Sequence, residues 1–598
     1  MGARFRWLGP ALLLLGTAGC GLGTADGDRA PPPATNADLA ALTLSPGRLD
    51  QSFQAAQPDY TGTLGFLADR FRVIATAADR GARIRIDGRA AESGEPGPET
   101  ELVGGSATSE IVVTAEDGTT TRTYRVEVRR ETVTALAQAA YRKASNTDAG
   151  DRFGAAVALD GERLVVGAPA EAGADGGVGG NEGSDTAAEA GAVYVFGREA
   201  DGSWVQEAYL KAAEPDAFDA FGRAVAIDGD TIVVGAPGEA SDATAVDGDA
   251  TDDSASEAGA AFVFVREADG AWVQQAYLKA QNATAFDRFG SAVAVSGDRV
   301  AVGAPGEASF GFGLNAPEFD ESAPDAGAAY VFLRDGDGWA QENYLKASNT
   351  NGGDGFGSTV ALDGDTLAVG APDERSAATG IDGDQTDDTA AEAGAVYVFT
   401  RSGGDWAQQA YLKASNTDAF DRFGSALGLH GDRLAVGAPG EASATGAQSD
   451  DAEPEAGAAY LFERRGGAWS QEAYLKSAET GDDDVFGSAL ALRDDALAVG
   501  APGEDSAATG VGGDPTDDTA GDAGAVWLFL RDDDGDWNLE AYLKAANAGA
   551  DDRFGSAVAI GAESLAAGAP GEASAATGEG GDAADDSAPG AGAVYRFR

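Results

Sequence analysis

The stretch "DGFGSTVALDGDTLAVGAP", Asp354–Pro372, returns in edited form at Asp151–Pro169, Asp219–Pro237, Asp287–Pro305, Asp421–Pro439, Asp484–Pro502 and Asp552–Pro570. Seven copies, a little under seventy residues apart, constrain this chain more than anything else in it. A unit repeated at fixed period cannot bury both of its faces alone, so neighbours must stack.

Each copy reads as four strands. In the fourth, "FGSTVALDG" and "TLAVGAP" are joined by an Asp-Gly turn, the tightest hairpin signal. A long polar loop leads to "GAVYVFTR", and a short turn leads to "DWAQQAYLKA". Four strands per unit at this period predict propeller blades, and seven copies predict seven. The ends of the repeat region agree. The last copy stops at "GAVYRFR" without a fourth strand, while "VTALAQAAYRKA" before the first copy is a fourth strand without a sheet. In it Leu136 stands where the other copies hold Trp204, Trp272, Trp339, Trp406, Trp469 and Trp537. Pairing the two closes the ring and removes an exposed edge. The recurring Trp and Tyr of the fourth strands are expected in the core.

Upstream of the repeats, "ALTLSPGRL", "RFRVIATAAD", "ARIRIDGR" and "SEIVVTAEDGTTTRTYRVEVRRE" alternate apolar and polar residues between Gly, Pro and Asp turns, the pattern of half-buried strands. The fold class expected is therefore all-β: a small β-sandwich, then a seven-bladed β-propeller of four-stranded blades closed by an N-terminal strand. At the N-terminus, Arg4 and Arg6 precede "LGPALLLLG" and the small residues of "GTAGC", which reads as a signal peptide. The expected divisions are a signal peptide at 1–20, a tether at 21–36, a sandwich at 37–131 and a propeller at 134–598.

Charge narrows the function classes. The chain has 99 Asp+Glu against 41 Lys+Arg, a formal charge of -58. Such a field opposes nucleic acid and anionic membrane surfaces, and fits cation binding or solubility in salt. The only lysines are Lys143, Lys211, Lys279, Lys346, Lys413, Lys476 and Lys544, each in a Tyr-x-Lys element. With abundant Asp, Ala and Gly, this resembles halophilic bacterial proteins. Cys20 and His430 are the sole residues of their kinds, which removes disulfides, His/Cys zinc sites and His-dependent triads. His430 sits where other copies hold Asp160, Asp228, Ser296, Asp363, Arg493 or Gly561, and is expected in a solvated turn.

Three resemblances follow from these motifs. "FG" followed by "GAP" and "GAVYVF" resembles the FG-GAP repeats of the integrin α-subunit propeller and its bacterial relatives, over about residues 135–598. "LTLSPGRL", Phe53, Tyr60, "IDG" and "VTAEDGTTTRTYRVEVRR" resemble the cadherin-like β-sandwich module of bacterial surface proteins. "GTAGC" resembles a lipoprotein box in which Cys20 is cleaved and lipidated, although Thr17 stands where Leu is usual. Integrin-type repeats often carry an Asp-x-Asp-x-Asp-Gly calcium loop between the FG and GAP strands. Here that connection is a two-residue turn, too short to wrap calcium, so the family's site is not carried over.

Acid is found instead between "GAP" and "GAVYVF". Asp382, Asp384, Thr386 and Asp388 fall at alternate positions, the spacing of the first ligands of a calcium loop. Asp247, Asp249, Thr251 and Asp253 repeat it, and Asp514, Thr516 and Asp518, more loosely Asp582 and Asp586, keep part of it. Asp252 and Asp387 replace the bending glycine, so these loops read either as Ca2+ loops or as solvation in salt. Topology puts them on one face with the blade-to-blade connections, the expected binding face. There the third copy departs from its siblings with "SFGFGLNAPEFDES", and Phe310, Phe312 and Phe319 are candidate contacts.

Two acids recur in every copy: the Asp before Phe-Gly (Asp151, Asp219, Asp287, Asp354, Asp421, Asp484, Asp552) and the Glu after Gly-Ala-Pro (Glu171, Glu239, Glu307, Glu374, Glu441, Glu504, Glu572). The repeated Asp is expected to pair with the repeated Lys. The resemblance implies an exported, lipid-anchored, non-enzymatic binding or adhesion protein at the outer membrane or cell surface. Its partner is expected to be an extracellular protein or glycan. No nucleic acid is expected, membrane contact runs only through the anchor, and the chain is expected to be a monomer. The alternatives are a passive envelope scaffold and a carboxylate-dependent glycan-active enzyme. An enzyme needs unique acids, whereas nearly every acid here recurs.

Overall fold

The computed structural model describes residues 33–68, 70–102, 105–131, 136–199, 201–316, 319–336, 338–443, 452–479, 481–532 and 534–598. Cys20 and the N-terminal segment lie outside them. The described residues are all-β, without a helix.

The first unit is a sandwich. A three-stranded sheet of Leu39–Ser45, Arg70–Ala77 and Pro96–Glu101 faces a six-stranded sheet built around Asp59–Leu64, Ser106–Thr114 and Thr121–Arg130. Alternation places Tyr124, Val126 and Val128 inward and fully buried while Arg125, Glu127 and Arg129 face water. Asp117 closes the expected hairpin by accepting the backbone N–H groups of Thr119 and Thr120.

Seven four-stranded antiparallel sheets follow. One consists of Thr359–Asp363, Thr366–Ala371, Ala395–Ser402 and Asp405–Leu412, joined in sequence order. Its middle strands, "TLAVGA" and "AVYVF", are buried along their length because neighbouring sheets cover both faces. Clusters cross each seam; Val165 and Val195 of one sheet, for example, pack with Ile232 and Val234 of the next.

The seams explain the repeated glycines. A Cβ on Gly370 of "GAP" would lie 2.3 Å from the carbonyl oxygen of Gly424 of the next "FG". The last sheet meets the first in the same way, since a Cβ on Gly568 would lie 1.9 Å from the Gly154 oxygen. Backbone therefore touches backbone between sheets, and no other residue leaves room for it.

The orphan strand finds the incomplete sheet. Gln138–Arg142 pairs antiparallel with Ala593–Phe597, completing the sheet of Leu565–Ala569 and Ala557–Ile560. Leu136 is buried there with Tyr141 and Phe597. Phe66 and Leu67 of the sandwich join this cluster, so the sandwich docks on the end of the sheets that carries the short turns.

Candidate functional site

The opposite end carries the long loops and the connectors between sheets, and its architecture starts from the lysines. Each repeated Lys directly follows a fourth strand, beside the Glu that stands three residues beyond the second strand of the same sheet. The seven Lys–Glu pairs span 2.6–3.0 Å and are all but buried. Burial pulls each lysine pKa down and the glutamate partner opposes it. The expected Asp–Lys pairing is thus corrected to Glu–Lys. The repeated Asp lies in the connector, where its carboxylate folds back to accept a backbone N–H three residues earlier, at 2.6–2.9 Å. Burial pushes Asp354 and Asp421 up to about 7, and Asp484 to about 6.

In six sheets a Tyr hydroxyl donates to the same glutamate, as Tyr411 does to Glu374 at 3.0 Å. In five, an Asn of the connector donates to that glutamate and accepts from a third-strand Tyr, as Asn349 does between Glu374 and Tyr397. The two exceptions change together. Where Glu214 and Glu479 replace the Asn, Phe262 and Trp527 replace the Tyr. This paired exchange was visible in the seven copies and is the signal that would have revealed the network.

The acidic loops fold back onto the outer edge of their sheets. Asp382 accepts the Tyr411 N–H at 3.0 Å, and Asp247 accepts that of Tyr277 at 2.9 Å. Asp384, Asp249 and Asp514 each cap the backbone and hydroxyl of Thr386, Thr251 and Thr516, bonds that hold the three carboxyls below their usual range. Asp253, Asp388 and Asp518 add their negative charge to the burial that raises the neighbouring connector Asp. Among the described residues, no three His, Cys, Asp or Glu side chains converge as metal ligands do.

Phe310 and Phe312 lie edge to face with centroids 5.0 Å apart and about half exposed, and Phe319 is 78% exposed. The sequence reading missed a second aromatic set. Phe218, Phe286 and Phe420 are each more than half exposed and held at φ of 74°, 72° and 73°. Gly150, Gly353, Asp483 and Asp551 occupy the equivalent position elsewhere, residues that tolerate the left-handed region. At the short-turn end, His430 is more than a solvated residue. Its Nε2 lies 3.1 Å from Asp494 of the next sheet, which also faces Arg70 of the sandwich at 3.9 Å. The same turn position links sheets elsewhere, as when Asp363 accepts the Gly431 N–H.

With this geometry in place, the family follows. Residues 138–196, 204–264, 272–332, 339–399, 406–462 and 469–529, more than half of the chain, match the FG-GAP repeat model. The chain belongs to the FG-GAP repeat family. Each matched span from 204 onward starts in the fourth strand of one sheet and ends in the third strand of the next, so the FG-GAP unit is offset by one strand from the sheet. Residues 39–131 match the cadherin-like beta sandwich domain. No curated protein matches the chain. Among solved structures, Chaetomium thermophilum Sqt1 is similar over 73% of this chain and 83% of that one, at 13% identity and a TM-score of 0.36.

Proposed function

We propose that the seven sheets form a closed seven-bladed propeller whose long-loop face binds an extracellular protein or glycan, without catalysis. FG-GAP repeats are found in integrin-like binding and adhesion proteins. The observation that carries the reading is the set of exposed phenylalanines on this face. Phe218, Phe286 and Phe420 sit exposed in a backbone conformation that costs about 1–3 kcal/mol each, so neither burial nor local preference accounts for them. Exposed aromatics of this kind serve contacts.

The proposal extends to export and lipid anchoring at Cys20, with residues 21–36 as tether, residues 37–131 as spacer and residues 134–598 as the binding unit of a monomer at the outer membrane or cell surface. The acidic loops serve solubility in concentrated salt or take up Ca2+.

The test applies the full chain to arrays of glycans and of extracellular matrix proteins, with calcium and with chelator. Binding that is lost on replacing Phe310, Phe312 and Phe319 together, or Phe218, Phe286 and Phe420 together, supports the reading. Binding unchanged in both triple variants, or no binding at all, overturns it. Calorimetric calcium titration of D382N/D384N/D388N beside the parent decides the role of the loops.

A further inference from the structure

The seam between the last sheet and the first breaks the sevenfold pattern at the short-turn end, away from the long-loop face. Six sheets hold Val195, Val263, Val331, Val398, Leu461 or Leu528 in the middle of the third strand, all fully buried. The seventh holds Arg596 there. An apolar site has been given a charge, which costs free energy unless that charge is paired. Among the described residues no carboxylate lies within ion-pairing distance of Arg596 or Arg598, although Glu563 holds Arg198 at 2.9 Å and Glu131 holds Arg48 at 3.3 Å.

A second defect lies against the first. Trp204, 5% exposed, stacks on the Arg596 guanidinium at 5.2 Å, and its indole N–H has no acceptor. The equivalent Trp272, Trp339, Trp406 and Trp469 donate to Glu207, Gln275, Glu342 and Gln409 at the bulge of the preceding fourth strand, whereas Trp537 also lacks an acceptor because Glu472 at its bulge is taken by Arg531. In the closing strand that bulge residue is Ala139, so the acceptor is missing.

Both defects line a cavity of about 530 Å³ between sandwich and sheets, the size that encloses small ligands. Its wall holds four arginines (Arg48, Arg198, Arg596, Arg598) and three glutamates, a cluster of cationic groups in a chain of formal charge -58. Of those acids, Glu563 is occupied by Arg198 and by the Gly47 N–H, and Glu162 is exposed. Burial, followed by the charges of Arg598, Arg198 and Arg142, holds Arg596 down at about 10.

We infer that this cavity binds a small oxyanion-bearing ligand (a carboxylate, sulfate or phosphate), with Arg596 and Arg598 as its counter-charges and the Trp204 indole N–H as a donor. An ionised acceptor satisfies both defects at once, because charge-assisted hydrogen bonds to arginine are the strong ones. The site is independent of the long-loop face.

The experiment is calorimetric titration of the full chain with sodium sulfate, sodium phosphate and sodium glucuronate, at constant ionic strength. One saturable site for at least one of them is expected. Arg596→Val, which restores the residue type of the other six sheets, should weaken that binding about ten-fold or more without lowering the melting temperature. Trp204→Phe keeps the ring stack and should also weaken binding, and it carries the test should Arg596→Val fail to fold. Tighter binding of glucuronate than of the inorganic ions would identify the ligand as a sugar acid, whereas equal binding would identify a free oxyanion. Saturable binding by none of the three, or affinity unchanged by the substitutions, overturns the inference.

Discussion

The Lys413 ammonium stands 2.9 Å from the Glu374 carboxylate, with both side chains buried, and the arrangement recurs in every sheet. Seven buried pairs tie the second and fourth strands together beneath the long-loop face. Lys413→Met leaves Glu374 as an unpaired buried charge and should cost about 3–5 kcal/mol, seen as a lower urea midpoint. The double variant K413M/E374L should recover much of that loss. A single variant as stable as the parent would refute the structural role.

The connector aspartates make stability fall with rising pH. Asp421 is held near 7 in the fold, against about 4 in an unfolded chain. Between those values the folded chain binds more protons than the unfolded one, so each such Asp favours the fold below about pH 4 and loses that advantage as pH rises through 7. The melting temperature should therefore drop from pH 5 to pH 8. Asp421→Asn, which mimics the protonated acid, should make the drop shallower, and a rise over that range would contradict the assignment.

Phe420→Asp should stabilise the protein. The backbone there is left-handed, and Asp483 and Asp551 already occupy its equivalents at φ of 64° and 66°. Relief of that strain should raise stability by about 1 kcal/mol, read as a higher urea midpoint. A fall would mean that the ring has a packing role.

Tyr397→Phe should cost about 1 kcal/mol, because Asn349 Oδ1 loses its donor in a part-buried site. The reverse change in the second sheet, Phe262→Tyr, should bring no gain, since Glu214 stands there in place of the Asn. Equal and opposite effects in the two sheets would break the pairing argument.

The sequence by itself determined the strands, their order and their partners within each sheet. Alternation, Asp-Gly turns and the fixed period are local signals, and they placed even the strand Gln138–Arg142 beside Ala593–Phe597. It also marked "FG" and "GAP" as essential without saying why, because Gly370 and Gly424 meet only across a seam. Tertiary structure alone chose between the two repeated acids. Asp421 and Glu374 recur with the same period, so spacing cannot tell which of them meets a lysine. The ends of the second and fourth strands do meet, and that gives the lysine to the glutamate. His430 on Asp494 and Arg596 over Trp204 were hidden for the same reason. Such contacts join residues of different sheets, and their partners are fixed by how the sheets stack, which no local pattern encodes.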